Sequence, residues 1–192
     1  MFAEIFGLTT DKHKWVYLSD GGHFDNLGLY EMIARRVPRI VVIDAGADPN
    51  YEFEDLGNAI RKIRADFGIS IERLGEMKIH CRSQGAPYCA VFRINYSGVH
   101  RIGNQPESFD GELLYIKPAL NGSEPQDVTQ YGTTSDDFPH ETTGDQFYGE
   151  SQFESYRILG MHELKTIIAN KTVNSVGDLI DCGREHCGPP GS

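Results

Sequence analysis

Long apolar runs, cysteine and positive charge are all scarce in this chain, and each scarcity excludes a class of protein. The longest aliphatic stretch, IVVI at residues 40–43, falls far short of the roughly 20 apolar residues that a membrane-spanning helix needs. No basic, apolar, small-residue leader pattern is read at the first residues. Four cysteines, at 81, 89, 182 and 187, are too few in this length for a disulfide-stapled secreted module. Reduced thiols in a cytoplasmic setting are expected. Lysine and arginine total 18 against 28 acids, a formal charge of −10. A nucleic-acid binder needs a basic face to displace counterions, so that class is excluded.

The acidity is also local. Residues 121–163 hold nine acids and one base, Arg157. A solvated acidic face explains them, and a direct grip on anionic lipid by this stretch is disfavoured. What remains is an ordinary globular composition, 39% hydrophobic and 24% charged over 192 residues. That length suits one domain with a real core.

Hydrophobic patterning orders the first part as strand, helix, strand, helix. Residues 16–18 read as a short strand broken by Gly21 and Gly22. Asp25 is a helix N-cap before a helix over roughly 26–36, with Leu29, Tyr30 and Ile33 at helical spacing and Pro38 as its stop. RIVVID (39–44) has the β-branched run of a strand covered on both faces. Leu56, Ile60, Ile63 and Phe67 mark a helix over roughly 54–67 that Gly68 closes. ISIERL is a further strand start. YCAVFRINYS (88–97) and GELLYIKP (111–118) read as an antiparallel pair. A short helix near 125–131 and a longer one over 150–169 follow, and 171–192 reads as a flexible tail. The expected fold is α/β: a parallel-sheet core with an antiparallel extension and a C-terminal helix.

Asp20 stands at the end of the first strand, and Asp44 at the end of the next. Function in open α/β sheets gathers at such carboxyl ends. An acid there serves as a general base if it is partly desolvated and within reach of a nucleophile. Asp-Gly-Gly is equally good turn chemistry.

LSDGGHFDNLGLYE, RIVVIDAGADP, FEDLGNAIRKIRADFGISIE, GELLYIKPAL and FPHETTGDQFYGESQFESYRILG, in that order, together resemble the C-terminal part of bacterial patatin-like phospholipases. The resemblance runs from about residue 15 to about residue 165. It implies a three-layer parallel-sheet core over 1–170 and lipid acyl hydrolysis by a Ser–Asp dyad without histidine. Asp20-Gly21-Gly22 matches the motif that holds the dyad aspartate. Asp20 is then the base, and Gly21 and Gly22 shape the turn that keeps it in reach of substrate. The family's serine lies upstream in a G-x-S-x-G elbow. Nineteen residues precede Asp20, and Ser19 is their one serine. Gly-x-Ser recurs in GISIE (68–72) and GESQF (149–153), both after the aspartate and both without the closing glycine.

The chain is therefore expected to be the C-terminal portion of a membrane-associated acyl hydrolase, inactive alone. Its partners would be a lipid ester or phospholipid and a missing N-terminal segment, or a second chain, carrying the serine elbow. No cofactor or metal is required. The alternative is a non-catalytic lipid- or protein-binding module that kept the fold.

Other constellations are weaker. His23 is a loop or capping residue before it is a catalyst. Asp20, His23, Asp25, Asp44 and Asp48 could collect a hard cation, although turns and caps explain the same carboxylates. Cys182, His186 and Cys187 have a loose spacing for zinc, and free thiols or a local disulfide explain them. No G-x-G-x-x-G accompanies Asp44, so a dinucleotide site is not supported. Phe147, Phe153 and Tyr156 would line an acyl groove or, more simply, pack the last helix on the sheet.

Overall fold

The structure, a computed structural model, describes residues 20–80, 83–99, 108–142, 144 and 146–188. A single 3-10 turn, Gly21–His23, leads into helix α1 (Leu29–Ala34) and strand β1 (Arg39–Ile43). Helix α2 (Glu54–Phe67) and strands β2 (Ile71–Arg73), β3 (Cys89–Ile94) and β4 (Gly111–Ile116) follow. Helices α3 (Gln126–Thr134), α4 (Glu150–Ile168) and α5 (Val176–His186) complete the described chain.

Local chemistry accounts for the boundaries. The Asp25 carboxylate accepts from Leu27 N at 3.0 Å and Tyr30 N at 2.9 Å, so it closes the start of α1 from four residues before Leu29, while Gly28 holds the N-cap position itself. α2 ends at Gly68, whose left-handed φ of 69° lets its N–H reach Arg64 O. Leu56, Ala59 and Ile63 of α2 are buried.

The sheet order is β1-β4-β3-β2. β1 pairs parallel with β4, Arg39 opposite Glu112 and Ile43 opposite Ile116. β3 runs antiparallel to both β4 and β2. The expected β3–β4 pair is thus present. The sheet is mixed rather than parallel, because among the described residues β1 and β4 are its one parallel pair. The strand expected at 16–18 lies outside the described residues.

Register assigns the faces. Cys89, Val91 and Leu114 share one face, which α5 covers: a Cβ on Gly183 would stand 2.5 Å from Leu114 Cδ1 and 3.6 Å from Cys89 Sγ. Only glycine allows that approach. Val42 and Tyr115 share the opposite face, where the Tyr115 ring meets Phe53 just before α2. Leu29, Ile33, Leu56 and Ile63 join the same core. A separate cluster of Leu120, Val128, Phe138 and Leu159 ties α3 to α4.

α5 corrects the expectation of a flexible tail over 171–192. Ser175 accepts from Asp178 N while the Asp178 carboxylate accepts from Ser175 N, a complete capping box. Its own Ile180 and Cys182 are buried. The S-x-x-D signal was present in the sequence, but the run after it is short and ends in polar residues.

Glu163 of α4 is 3% exposed and accepts from Ala119 N at 2.9 Å. Burial pushes its carboxyl from 4.5 up to about 8; the Ala119 hydrogen bond opposes this and the Glu124 charge adds to it. The folded chain therefore keeps a proton that the unfolded chain releases near the ordinary value. Stability is greatest below that value and falls as pH rises toward 8. Urea midpoints of the wild type are expected to drop between about pH 5 and pH 8, by the equivalent of a few kcal/mol. Glu163→Gln, which keeps the acceptor, should flatten that drop; a parallel decline in both proteins would assign it elsewhere.

β1 has β4 on one side and, among the described residues, no strand on the other. Ile43 at its end is 71% exposed. An apolar strand with an open ladder recruits other strands. Sedimentation velocity of the isolated chain is expected to show self-association that increases with concentration, and a single monomer species across that range would contradict it.

Candidate functional site

The Asp20 turn is braced in part by its own backbone. Asp20 is exposed, with extended backbone (φ −60°, ψ 131°), and its Oδ1 accepts from Gly22 N at 3.0 Å. Asp20 O accepts from His23 N at 3.2 Å, and His23 Nδ1 lies 3.2 Å from the same carbonyl. His23 is thus a loop-bracing residue. The two glycines differ. A Cβ on Gly22 would meet Asn26 Oδ1 at 2.3 Å, while one on Gly21 would meet nothing within 4 Å. Gly22 makes room for Asn26, and Gly21 is the position at which the described residues leave space beside the turn.

Asn26 carries the turn to α2. Its Nδ2 donates to Asp55 Oδ2 at 3.1 Å. Lys62 of α2 donates to Phe24 O and lies 4.4 Å from the centre of the Phe24 ring. The Asp20 turn therefore rests on the outer face of α2, beside a small cleft of about 80 Å³ lined by Gly22, His23, Asn26, Asp55 and Lys62.

Asp55 also borders a second cleft, of about 190 Å³, at the carboxyl ends of β1 and β4. Lys117, the residue after β4, lies there 1% exposed. Its ammonium is 3.2 Å from Asp44 Oδ2 and 3.7 Å from Asp48 Oδ2, and it donates to Gly46 O at 3.2 Å. Tyr115 donates to Asp44 Oδ2, and Gly46 N donates to Asp44 Oδ1 at 2.9 Å. Burial, then this hydrogen bond, push the Tyr115 phenol well above its ordinary range. Asp48 accepts from Glu52 N at 2.8 Å and Phe53 N at 2.9 Å, so it fixes the loop that starts α2. Asp48 N donates to His140 Nδ1 at 3.3 Å, and burial holds that imidazole below its ordinary pKa, in the neutral form.

Asp44, a possible base by position, is thus committed to an ion pair. Among the described residues no three His, Cys, Asp or Glu side chains are grouped to hold a metal ion. The carboxylates listed in sequence as a conceivable cation site are divided: Asp20 and Asp25 serve turns, and Asp44 and Asp48 surround Lys117. Cys187 meets Cys89 rather than Cys182, with sulfurs 3.5 Å apart; Cys81 lies outside the described residues. Phe147 and Phe153 are 92% and 63% exposed, and Tyr156 packs against Phe138 at 4.9 Å rather than on the sheet.

Sequence reading passed over Lys117, because a lysine after an apolar strand resembles a solvated strand end. It also passed over Ser123, whose Oγ lies 2.9 Å from His162 Nε2. That hydroxyl is 2.7 Å from Asn121 Oδ1, its shortest acceptor, within a turn whose Asn121 and Gly122 amides both donate to Glu124. With its proton on Asn121, Ser123 accepts from His162, the arrangement of a braced turn rather than of an activated nucleophile. Ser70 and Ser151, of the two Gly-x-Ser sequences, lie respectively within reach of Asn95 Nδ2 at 2.7 Å and in the first turn of α4.

No protein-family model, curated protein or solved structure matches the chain.

Removing the buried cation takes from Asp44 and Asp48 the opposite charge that lies 3.2 Å and 3.7 Å from them, leaving only neutral donors. Lys117→Met is expected to cost about 3–5 kcal/mol in chemical denaturation. Adding Asp44→Asn to that variant should restore part of the loss. A Lys117→Met protein as stable as wild type would show that the cluster is not held by its ammonium.

Proposed function

We propose that this chain supplies the aspartate half of a patatin-like lipid acyl hydrolase, with Asp20 as the base of a Ser–Asp dyad. The observation that carries the reading is the placement of Asp20. The residue is exposed and its Oδ1 accepts from Gly22 N on a tight turn, beside Gly21, around which the described residues leave room. A base that must meet a nucleophile from elsewhere needs such a position. Among the described residues no strand pairs with the outer edge of β1, and a sheet completed by further strands would continue there.

In this mechanism the serine, on a segment outside the chain, attacks the ester carbonyl while Asp20 takes its proton. Asp20 returns that proton to the leaving alcohol. It then removes one from the water that releases the acyl group and passes it back to the serine oxygen. Gly21 and Gly22 hold the turn, and no cofactor takes part. The complete enzyme would meet its substrate at a membrane surface, because lipid esters lie there; among the described residues no helix is long and apolar enough to cross one.

Hydrolysis of p-nitrophenyl butyrate by the purified chain tests the division of labour. The chain and its Asp20→Ala variant are both expected to stay at the buffer rate. Turnover abolished by Asp20→Ala would place a nucleophile within this chain, and Ser123→Ala would then be the first variant to compare. In a polypeptide joining this chain to an upstream segment with G-x-S-x-G, Asp20→Ala should lower kcat roughly a thousandfold or more. Unchanged kcat there would remove Asp20 from the mechanism.

A further inference from the structure

The C-terminal helix α5 is fastened to the start of β3 in several ways. Tyr88 N donates to His186 Nε2 at 3.3 Å, and the two rings stack 5.9 Å apart at 9°. Gly183 lets the helix approach Leu114 and Cys89. At the end of the helix Cys187 donates its thiol proton to Cys89 O at 3.0 Å, and its sulfur lies 3.5 Å from Cys89 Sγ. Two thiols separated by 98 positions in sequence are in van der Waals contact.

We propose that Cys89 and Cys187 form a thiol modification site, which takes a low-molecular-weight disulfide as co-reactant and closes to an intramolecular disulfide. The sulfurs must approach from 3.5 Å to the bond length of about 2.05 Å. Cys187 caps the last turn of α5, where backbone shifts are easiest, while Cys89 is held inside a paired strand. The roles differ accordingly. Cys187 is half-buried and Cys89 is buried, so Cys187 is the thiol that an external reagent reaches first. Hydrogen bonding from the Cys89 thiol holds Cys187 below the ordinary thiol range, whereas that same contact and then burial raise Cys89 far above it.

The reaction balances as two exchanges. The Cys187 thiolate attacks one sulfur of oxidised glutathione, the glutathione S–S bond breaks, and one glutathione leaves and takes up the proton that Cys187 lost. Cys89 then gives up its proton and attacks Cys187 Sγ in the mixed disulfide. The second glutathione departs as a thiol with that proton. Two protein thiols are oxidised, and one external disulfide is reduced to two thiols.

The experiment treats the full reduced chain with excess oxidised glutathione and maps its peptides by mass spectrometry. The expected product lacks two hydrogens, retains no glutathione at these positions, and yields one linked peptide pair, Cys89 with Cys187. Cys89→Ser should instead hold one glutathione on Cys187, since the resolving thiol is absent, and Cys187→Ser should hold none at Cys89. The oxidised chain should melt roughly 5 °C or more above the reduced one. If Cys89→Ser does not fold, the peptide map of the unsubstituted chain decides alone. A lasting glutathione adduct on Cys187 there, a different pairing, or no reaction at Cys187 would overturn the proposal.

Discussion

The buried ammonium of Lys117 is the interaction on which the surrounding structure depends. Burying a lone cation is expensive, and it is tolerated only where carboxylates and carbonyls surround it. Here Asp44 comes from the end of β1, Asp48 from the following loop, and Lys117 itself from the end of β4. One charge thus fixes the ends of the parallel pair together. The same Asp48 holds the amides of Glu52 and Phe53, so the loop that begins α2 is set by the same cluster. That loop stores strain: Tyr51 and Phe53 both adopt left-handed backbone, with φ of 54° and 55°. Tyr51 is held by its hydroxyl donating to Pro118 O at 2.8 Å, next to Lys117 in the chain. Since α2 is also the surface on which the Asp20 turn rests, the position of Asp20 follows in part from a charge it does not touch.

Much of this fold was legible in the sequence where one signal dominated. α2 was read at its observed limits, because four apolar residues at helical spacing end in a glycine. β1, β3 and β4 were legible from β-branched and aromatic runs. Pairing was less so. Nothing local in RIVVI says that its parallel neighbour is GELLYI, since that choice is made by the crossover and by Lys117 and Asp44 meeting at its end. α5 was hidden for another reason. Its capping box is clear, but its apolar stripe is only Leu179, Ile180 and Cys182, and its fit depends on Gly183 against Leu114, a contact visible only in three dimensions.

The site was legible as a motif and not as a geometry. Asp20, Gly21 and Gly22 were distinguishable as a unit because acid, glycine and glycine follow one another. The sequence could not say that Gly22 makes room for Asn26 while the described residues leave space at Gly21. Nor could it separate the carboxylates by duty. Asp25 closes a helix, Asp44 neutralises a lysine, Asp48 orders a loop and Asp55 holds the turn on α2, although all are acids near strand or helix ends. Only the positions of their hydrogen-bond donors distinguish them.

The placement of α5 has a consequence for the order of assembly. β4 lies between β1 and β3, and the helix that covers their shared face comes from far downstream. During synthesis the sheet strands leave the ribosome well before α5 does. Until it arrives, Leu114, Val91 and Cys89 lack their cover, and the contacts that close this face join residues up to 98 positions apart. Such high-separation contacts slow folding, because the entropy of closing the intervening loops is lost before the contacts form. The nascent chain therefore passes through a stage in which its sheet is paired but bare on one side, the stage at which a chaperone that binds apolar surface would have its greatest hold.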